Sequence, residues 1–376
     1  MSFGTIDKQQ KNGCLNIRIC DPKILFKKIK EYLEEKRSIV VMHDFFIDRI
    51  IKIKNQEELL SMIVEKSKFG GGSIRRVHTL EIEGGNAVNV AFCLAKLGLD
   101  VHLFTIADNI GKKILSNLFK DLKNVKLHVF SGRPGYTTSL EFFNSSSNEM
   151  EANIMISDVG DNSDFGPDRF SRSTEKNILE AADAVIVLNW ASNLKGTSLL
   201  EYVFKKSPNA FHFIDPADIK SRTKEFCSLL REHADIIDIL SINENECNSL
   251  LLELNYGDLI LKNHYDSKEI KLAAKTLAKN LKISVDLHTK NGSVFSDGKD
   301  IFFIESARDI IIKSLTGAGD SWDAADILGH LSGLNPSERL FFANIFAALY
   351  ISQEDRQLIT LDNVIQFYNK IYKNTS

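Results

Sequence analysis

The stretch TGAGDSWDAADILGHL, residues 316–331, places three small residues and an aspartate directly before an apolar run with helical periodicity. The free N–H groups and the dipole of such a helix start favour an anion. The amides of Gly317, Ala318 and Gly319 could therefore form an anion hole for a phosphoryl group, while Asp320 takes the proton from an attacking hydroxyl. The alternative is that Asp320 simply caps the helix.

Other nucleotide and metal motifs fail on spacing. ADNIGKKI contains Gly111 and Lys112 but lacks the earlier glycine of a phosphate-binding P-loop. GAGDSW has Trp322 where a dinucleotide-binding fingerprint needs its third glycine. The nine histidines form no H-x-x-x-H pair, so the sequence does not predict a transition-metal site.

The composition is that of a globular protein acting on small molecules. The 376 residues include 47 basic and 50 acidic side chains, so the net charge of -3 argues against a nucleic-acid partner. The five cysteines form no C-x-x-C pair, which argues against a disulfide framework and a structural zinc site. The polar N-terminus and the lack of a long apolar run predict a cytoplasmic protein with no membrane partner.

Short β-rich runs alternate with longer helix-like segments along the chain. This alternation predicts βαβ units and a mostly parallel sheet covered by helices. Ligands on such sheets bind at the carboxyl ends of the strands. We therefore expect the polar residues that end these runs to share one edge of the sheet: Asp48, Asn189, Asp215, Asn243 and Thr289.

The predicted organisation is an N-terminal extension over residues 1–38 and one large domain over residues 39–372. Asp21 and the following proline suit the start of a helix in the extension. Two strand-rich segments, approximately residues 48–82 and 136–157, interrupt the βα alternation. We expect them to pair into a small sheet that acts as a lid, because lids exclude water from a reacting site.

Three segments of the chain together resemble motifs of the ribokinase-like, or PfkB, family of carbohydrate kinases, in their order and in their separations. They are GGNAVNVAFCLAKLG (84–98), INENE (242–246) and TGAGDSWDAA (316–325). The resemblance extends over residues 40–370. It implies an α/β three-layer sandwich with a mostly parallel central sheet and a small β lid. It further implies Mg²⁺, ATP as phosphoryl donor, and a sugar, sugar phosphate or nucleoside hydroxyl as acceptor.

The resemblance also implies a role for individual residues. Asp320 becomes the general base beside the amides of Gly317, Ala318 and Gly319. The residues expected at the acceptor, including Asn189 at a strand end, are Asp48, Gly84, Gly85, Asn89 and Asn189. The residues expected at the nucleotide, with Asn344 near the adenine, are Asn243, Glu246, Thr289, Gly292, Thr316 and Asn344. Asn243 and Glu246 would hold Mg²⁺ indirectly, through its waters.

The predicted function is an ATP-dependent phosphotransferase acting on a hydroxyl of a small sugar or sugar-like acceptor. One alternative is a nucleoside kinase of the same fold, in which Phe45 and Phe46 could provide an apolar floor for a base. A second alternative is a non-catalytic ligand-binding relative. Ser314 replaces an aspartate that the family links to a monovalent-cation site, so potassium activation is not expected. The resemblance also suggests a homodimer formed through the lid.

Overall fold

The first strand, β1 (Ser38–His43), shows why the main sheet is covered on both faces. Ile39, Val40, Val41 and Met42 are all fully buried. Alternate side chains of a strand point to opposite faces, and here Ile39 and Val41 enter one hydrophobic core while Val40 and Met42 enter another. A strand that is apolar on both faces requires helices on both sides of its sheet, which gives three layers.

A computed structural model describes residues 21–143, 150–262, 265–308, 310–353 and 359–373. Residues 1–20 of the predicted extension and 144–149 of the predicted lid lie outside the described ranges. In these ranges nine strands form the main sheet in the order β13-β12-β11-β10-β9-β8-β1-β4-β5. After β1 these strands are β4 (Asp100–Ala107), β5 (Val125–Ser131), β8 (Ala184–Leu188), β9 (Phe211–Asp215), β10 (Ile239–Ile242), β11 (Ser284–Thr289), β12 (Gly292–Ser296) and β13 (Ile301–Glu305).

The strands from β5 to β11 in this order pair in parallel, whereas β12 and β13 are antiparallel additions at one end. The predicted α/β class with a mostly parallel central sheet is therefore confirmed. Asn189, Asp215, Asn243 and Thr289 lie at or directly after the carboxyl ends of parallel strands, as expected.

Two groups of helices cover the two faces of this sheet. The face that carries the candidate site packs against α1 (Pro22–Leu33), α3 (Asn86–Leu97), α4 (Asn109–Leu118), α10 (Ala318–Leu331), α11 (Pro336–Ile351) and α12 (Leu361–Tyr368). The other face packs against α5 (Ser173–Glu180), α6 (Gly196–Lys206), α7 (Thr223–Glu232), α8 (Glu244–Glu253) and α9 (Ser267–Leu281). None of the helices in the described ranges is both long and apolar enough to cross a membrane.

A second, smaller sheet confirms the predicted lid. In the described residues it has four strands, in the order β3-β2-β6-β7. Their bounds are β2 (Phe46–Ile53), β3 (Thr79–Gly84), β6 (Gly135–Phe143) and β7 (Met150–Asp158). Helix α2 (Gln56–Lys68) connects β2 to β3 and buries none of its side chains. A homodimer through this sheet stays a prediction.

Helix α1 belongs to the main body of the molecule. Asp21 accepts a hydrogen bond from the Lys23 amide, so it forms the helix cap that the sequence predicts. Leu25 and Ile29 are completely buried in the same core as α10 and α11. The predicted boundary at residue 38 therefore runs through packed structure and does not separate α1 from the domain.

A buried ion-pair triad joins the antiparallel end of the main sheet to α10 and α11. The Arg339 guanidinium donates to both oxygens of Asp286, at 2.6 and 3.1 Å, and also to Asp326. All three side chains are almost completely buried. Removing one member of such a group leaves uncompensated charge in the interior, which is strongly destabilising.

We predict that Arg339→Met lowers the free energy of unfolding by about 3–5 kcal/mol, because it leaves two buried carboxylates without their counter-ion. Urea denaturation measures this change. The matched control is Arg308→Met, which breaks an exposed pair with Glu305 and should leave stability unchanged within error. Equal effects of the two substitutions would show that the triad makes no special contribution.

Candidate active site

Helix α10 begins directly after a position that only glycine can occupy. Gly317 holds the cap position in a left-handed conformation (φ 81°), and a Cβ there would lie 2.5 Å from the Tyr350 hydroxyl. The Ala318 amide donates to the Leu315 carbonyl at 3.1 Å. The amides of Gly317 and Gly319 have no acceptor within the described residues. The Ala318 amide is therefore not free to donate to an anion, and an anion hole formed by Gly317 and Gly319 stays a prediction.

The Asp320 carboxylate is held by two asparagines of α3. Asn86 donates to its Oδ1 at 2.8 Å, and Asn89 donates to its Oδ2 at 2.7 Å. Because Gly317 caps the helix and Asp320 is bound across the site, the alternative that Asp320 is a simple cap is wrong.

The surroundings of Asp320 give it an unusual acidity. Its pKa is raised to about 7: burial is the largest cause, the charges of Asp215 and Asp44 act in the same direction, and the hydrogen bonds from Asn89 and Asn86 oppose these effects. A carboxyl group with this pKa is partly ionised at neutral pH, as a general base requires.

Asp44, which follows β1, positions the asparagines that hold Asp320. It is completely buried and accepts hydrogen bonds from the Asn86 amide at 2.9 Å and the Ala87 amide at 2.8 Å. These are free N–H groups of the first turn of α3. Asp44 thereby fixes the start of α3 against the end of β1, and with it the positions of Asn86 and Asn89.

Asn189 connects the ends of three neighbouring strands. Its side-chain amide donates to Asp44 Oδ2 at 2.9 Å, and its backbone amide donates to the Asp215 carbonyl at 2.9 Å. It adopts a left-handed conformation (φ 52°) and is buried. The predicted acceptor residue Asn189 thus lies in the same buried polar network as Asp320.

The prediction that Asp48 ends the first strand is wrong. The chain leaves β1 at His43 and begins lid strand β2 at Phe46, so Asp48 lies within the lid. The intervening turn is fixed by Asn162, whose side chain donates to the Phe45 carbonyl at 2.9 Å. The residue that follows β1 is Asp44, and its position directly after an apolar run was the signal that could have identified it.

Two glycines allow the lid and α3 to approach this turn closely. A Cβ at Gly84 would lie 2.0 Å from Asp48 Oδ2, and a Cβ at Gly85 would lie 2.8 Å from the Asp44 carbonyl. Gly85 also has φ 101°, which other residues rarely adopt. Gly84 and Gly85 are therefore required by the packing of Asp48 and Asp44.

Asn243 and Glu246 form a capping box at the start of α8. The Asn243 amide and side chain donate to the two carboxylate oxygens of Glu246, each at 2.8 Å. Glu246 is 3% exposed. Burial raises its pKa well above the usual value, and the nearby Asp215 carboxylate raises it further. A cation beside these carboxylates would offset their mutual repulsion, so the pair fits the indirect Mg²⁺ site that the sequence predicts.

Thr289 and Gly292 form the tight turn between β11 and β12. The Thr289 hydroxyl donates to the Gly292 carbonyl at 2.7 Å. A Cβ at Gly292 would lie 2.5 Å from the Ile304 carbonyl, so this position needs glycine. The turn borders a cavity of about 330 Å³ lined by Lys290, Asn291, Phe303 and neighbouring residues.

The structure gives Asn344 a packing role that the prediction did not include. Its Oδ1 accepts from Trp322 Nε1 and Ser293 Oγ, both at 2.8 Å, while its Nδ2 donates to the Ile304 and Glu305 carbonyls, both at 3.1 Å. Both donors and both acceptor positions are therefore used inside the protein. The expectation that Asn344 lies near the adenine stays a prediction. Thr316 lies in the turn directly before Gly317, half-buried.

A comparison with family models matches residues 60–362 to the pfkB family carbohydrate kinases. The chain belongs to the pfkB carbohydrate kinase family. No curated protein sequence gives a significant match.

Solved structures similar to this pfkB-family chain share its fold over most of their length. Ribokinase from Arabidopsis thaliana, complexed with ribose and ATP, has a TM-score of 0.68, with 18% identity over 89% of this chain and 99% of that one. Adenosine kinase from Sinorhizobium meliloti has a TM-score of 0.67, with 16% identity over 88% and 98%. The nucleoside kinase of Methanocaldococcus jannaschii has a TM-score of 0.60, with 14% identity over 89% and 99%. These likenesses support the ribokinase-like fold and include both sugar and nucleoside kinases.

We predict that Asn89→Ala raises the pKa of Asp320 above about 7, because it removes a hydrogen bond that stabilises the ionised carboxylate. Carboxyl ¹³C NMR of protein labelled at aspartate measures the titration without substrate, and Asp320→Asn assigns the signal. The matched control is Asn124→Ala, since the side chain of Asn124 donates only to the backbone carbonyls of Ala95 and Leu99 in the described structure. An unchanged or lower pKa in Asn89→Ala would contradict the proposed network.

Proposed function

We propose that this pfkB-family chain transfers the γ-phosphoryl group of ATP to a hydroxyl of a small sugar or sugar-like acceptor. The observation that carries the proposal is the Asp320 carboxylate, buried beside the free amides of Gly317 and Gly319 at the start of a 14-residue helix. Its pKa of about 7 suits proton removal at neutral pH.

In the proposed reaction, the acceptor hydroxyl gives its proton to Asp320 as its oxygen bonds to the γ-phosphorus. The bond from that phosphorus to the bridging oxygen breaks, and ADP leaves. The Gly317 and Gly319 amides donate hydrogen bonds to the phosphoryl oxygens as charge redistributes. Asn86 and Asn89 hold the Asp320 carboxylate in place before the acceptor binds.

Mg²⁺ bound through waters near Asn243 and Glu246 would neutralise charge on the ATP phosphates when present. This chain supplies Glu246 as the carboxylate for such an ion, and the negative charge of Asp215 acts on that group. We assign the turn of Thr289 and Gly292 and its neighbouring cavity to the nucleotide.

The burial of two phenylalanines favours a sugar-like acceptor over a nucleoside. Phe45 is completely buried, and Phe46 is 7% exposed. A Cβ at Gly135 would lie 2.3 Å from the Phe46 ring, so protein packs directly against it. Neither ring offers the open apolar floor that a nucleoside base would need. Asp48 in the lid and Asn189 below it are the polar groups that we assign to acceptor hydroxyls.

We expect at least one acceptor in a panel of sugars, sugar phosphates and nucleosides to raise ATP consumption above the background without acceptor. Coupled detection of ADP provides the measurement, and the sugars or sugar phosphates should be the active class. Activity confined to nucleosides would contradict the acceptor assignment. A panel without any active acceptor would favour a non-catalytic ligand-binding protein.

With an active acceptor, Asp320→Asn should lower kcat by about 100- to 10,000-fold, the usual effect of removing a general base. Its affinity for ATP, measured by calorimetry, should stay within about threefold, because a base acts on the acceptor and not on nucleotide binding. Asp362→Asn, which changes an exposed aspartate on α12, is the matched control. Retention of more than about a tenth of the wild-type kcat by Asp320→Asn would exclude the general-base role.

A further inference from the structure

A second group of ionisable side chains lies one helical turn beyond Asp320. Asp215 at the end of β9, His288 on β11 and Asp323 on α10 place one potential ligand atom each within 4.8 Å of one another. We call these three residues the D-H-D cluster. They come from three elements of the packed core, so their relative positions are fixed by the fold.

Two atoms of the D-H-D cluster are buried without a hydrogen-bond partner in the described structure. They are His288 Nε2 and Asp323 Oδ2, and both are inaccessible to solvent. Asp323 itself is completely buried. Buried polar atoms are normally satisfied, and a cation bound among these groups would satisfy both atoms, whereas a proton shared by Asp215 and Asp323 would satisfy only Asp323.

The remaining atoms of the cluster are held in place by neighbours. The Ser241 hydroxyl donates to Asp323 Oδ1 at 2.6 Å, and the Ala217 amide donates to Asp215 Oδ1 at 2.8 Å. The Trp322 ring packs against the His288 ring with centroids 5.0 Å apart. Such supporting contacts orient metal ligands in proteins and leave their other atoms available for the ion.

The charge around the cluster favours a cation. Burial is the largest cause of the raised pKa of Asp323. The charge of Asp215 and a hydrogen bond between the two carboxyl groups raise this pKa further, and the charge of Asp320 acts in the same direction. Asp215 also acts on Glu246. Several carboxylates thus share one poorly solvated region, and bringing a positive ion among them relieves their repulsion.

The ligand types distinguish this cation from the Mg²⁺ of the proposed reaction. Mg²⁺ prefers oxygen ligands and retains several waters, whereas imidazole nitrogen suits zinc, iron and similar ions, and carboxylate oxygen also suits manganese. Bonds of about 2.1 Å space neighbouring ligand atoms roughly 3.0–3.4 Å apart, which the 4.8 Å limit of the cluster accommodates. Three protein ligands leave further positions for water or a phosphate oxygen.

We propose that Asp215, His288 and Asp323 bind a divalent transition-metal ion directly, at a site separate from the Mg²⁺ position assigned to Asn243 and Glu246. The ion would lie beside the start of α10, because a Cβ at Gly319 would be 3.4 Å from His288 Cε1. Binding of the ion does not depend on the proposed kinase reaction, so the two proposals can fail separately.

Titration of metal-free protein with Mn²⁺, followed by electron paramagnetic resonance without nucleotide or acceptor, tests the site. We expect one Mn²⁺ per chain, with electron spin-echo modulation from a ¹⁴N ligand. Asp323→Asn should weaken binding at least tenfold, and His288→Gln should remove the ¹⁴N modulation. If Asp323→Asn does not fold, His288→Gln provides both readouts.

Three controls separate this site from its alternatives. Glu246→Gln should leave Mn²⁺ affinity within about threefold, since Glu246 belongs to the other position, and His78→Gln should leave the ¹⁴N modulation intact. Zn²⁺ should compete with the bound Mn²⁺, as expected for a site with an imidazole ligand. Loss of binding in Glu246→Gln but not in Asp323→Asn would overturn the proposal. Absence of any Mn²⁺ binding would also overturn it and would favour a proton shared by Asp215 and Asp323.

Discussion

The hydrogen bonds that join the Asp320 carboxylate to Asn86 and Asn89 are the interaction on which the candidate site depends. They connect the start of α10 to the start of α3, the two helix ends that meet at the edge of the main sheet. Without this connection the carboxylate would be a buried charge with no partner, which is costly in a protein interior. With it, the charge is stabilised only partly, so the pKa of Asp320 stays near 7.

Asp44 fixes the position of these two asparagines relative to the main sheet. Because Asp44 follows the buried strand β1 and binds the first amides of α3, the position of Asn86 and Asn89 is set by the core of the protein. Asn189 bonds to the same Asp44 carboxylate from the neighbouring strand end. The position of Asp320 is therefore fixed through two successive sets of hydrogen bonds, and the site is preorganised to that extent.

Several buried carboxylates lie together at this edge of the main sheet. Asp44, Asp215, Glu246, Asp320 and Asp323 are all buried, although burial of acidic groups opposes folding. The structure offsets part of this cost with backbone amides and asparagine side chains. The remaining negative charge suits the cations that we propose for this edge of the sheet.

Much of the fold could be predicted from the sequence because its signals are local. The apolar run of β1 predicts a buried strand, and the small residues before α10 predict a helix whose first amides are accessible. Each signal spans only a few residues. The motifs at residues 84–98, 242–246 and 316–325 then indicated the family, and the strand-rich segments at approximately 48–82 and 136–157 predicted the lid.

The errors arose where distant segments meet. Asp48 was placed at a strand end because the sequence does not show the turn at Asp44 that starts the lid strand. The packing role of Asn344 was not foreseen, because the sequence does not show that its side chain forms hydrogen bonds with residues of three other elements. The D-H-D cluster was not predicted for the same reason. Its one histidine and two aspartates come from three separate elements, so no spacing in the sequence indicates that they meet.

The most direct test of the central claim is a crystal structure with ADP, Mg²⁺ and aluminium fluoride, which imitates a phosphoryl group in transfer. The account predicts fluoride atoms within hydrogen-bond distance, about 2.7–3.2 Å, of the Gly317 and Gly319 amides. It also predicts an axial water or hydroxyl oxygen within the same distance of the Asp320 carboxylate. Aluminium fluoride bound away from the start of α10, with Asp320 remote from the axial oxygen, would contradict it.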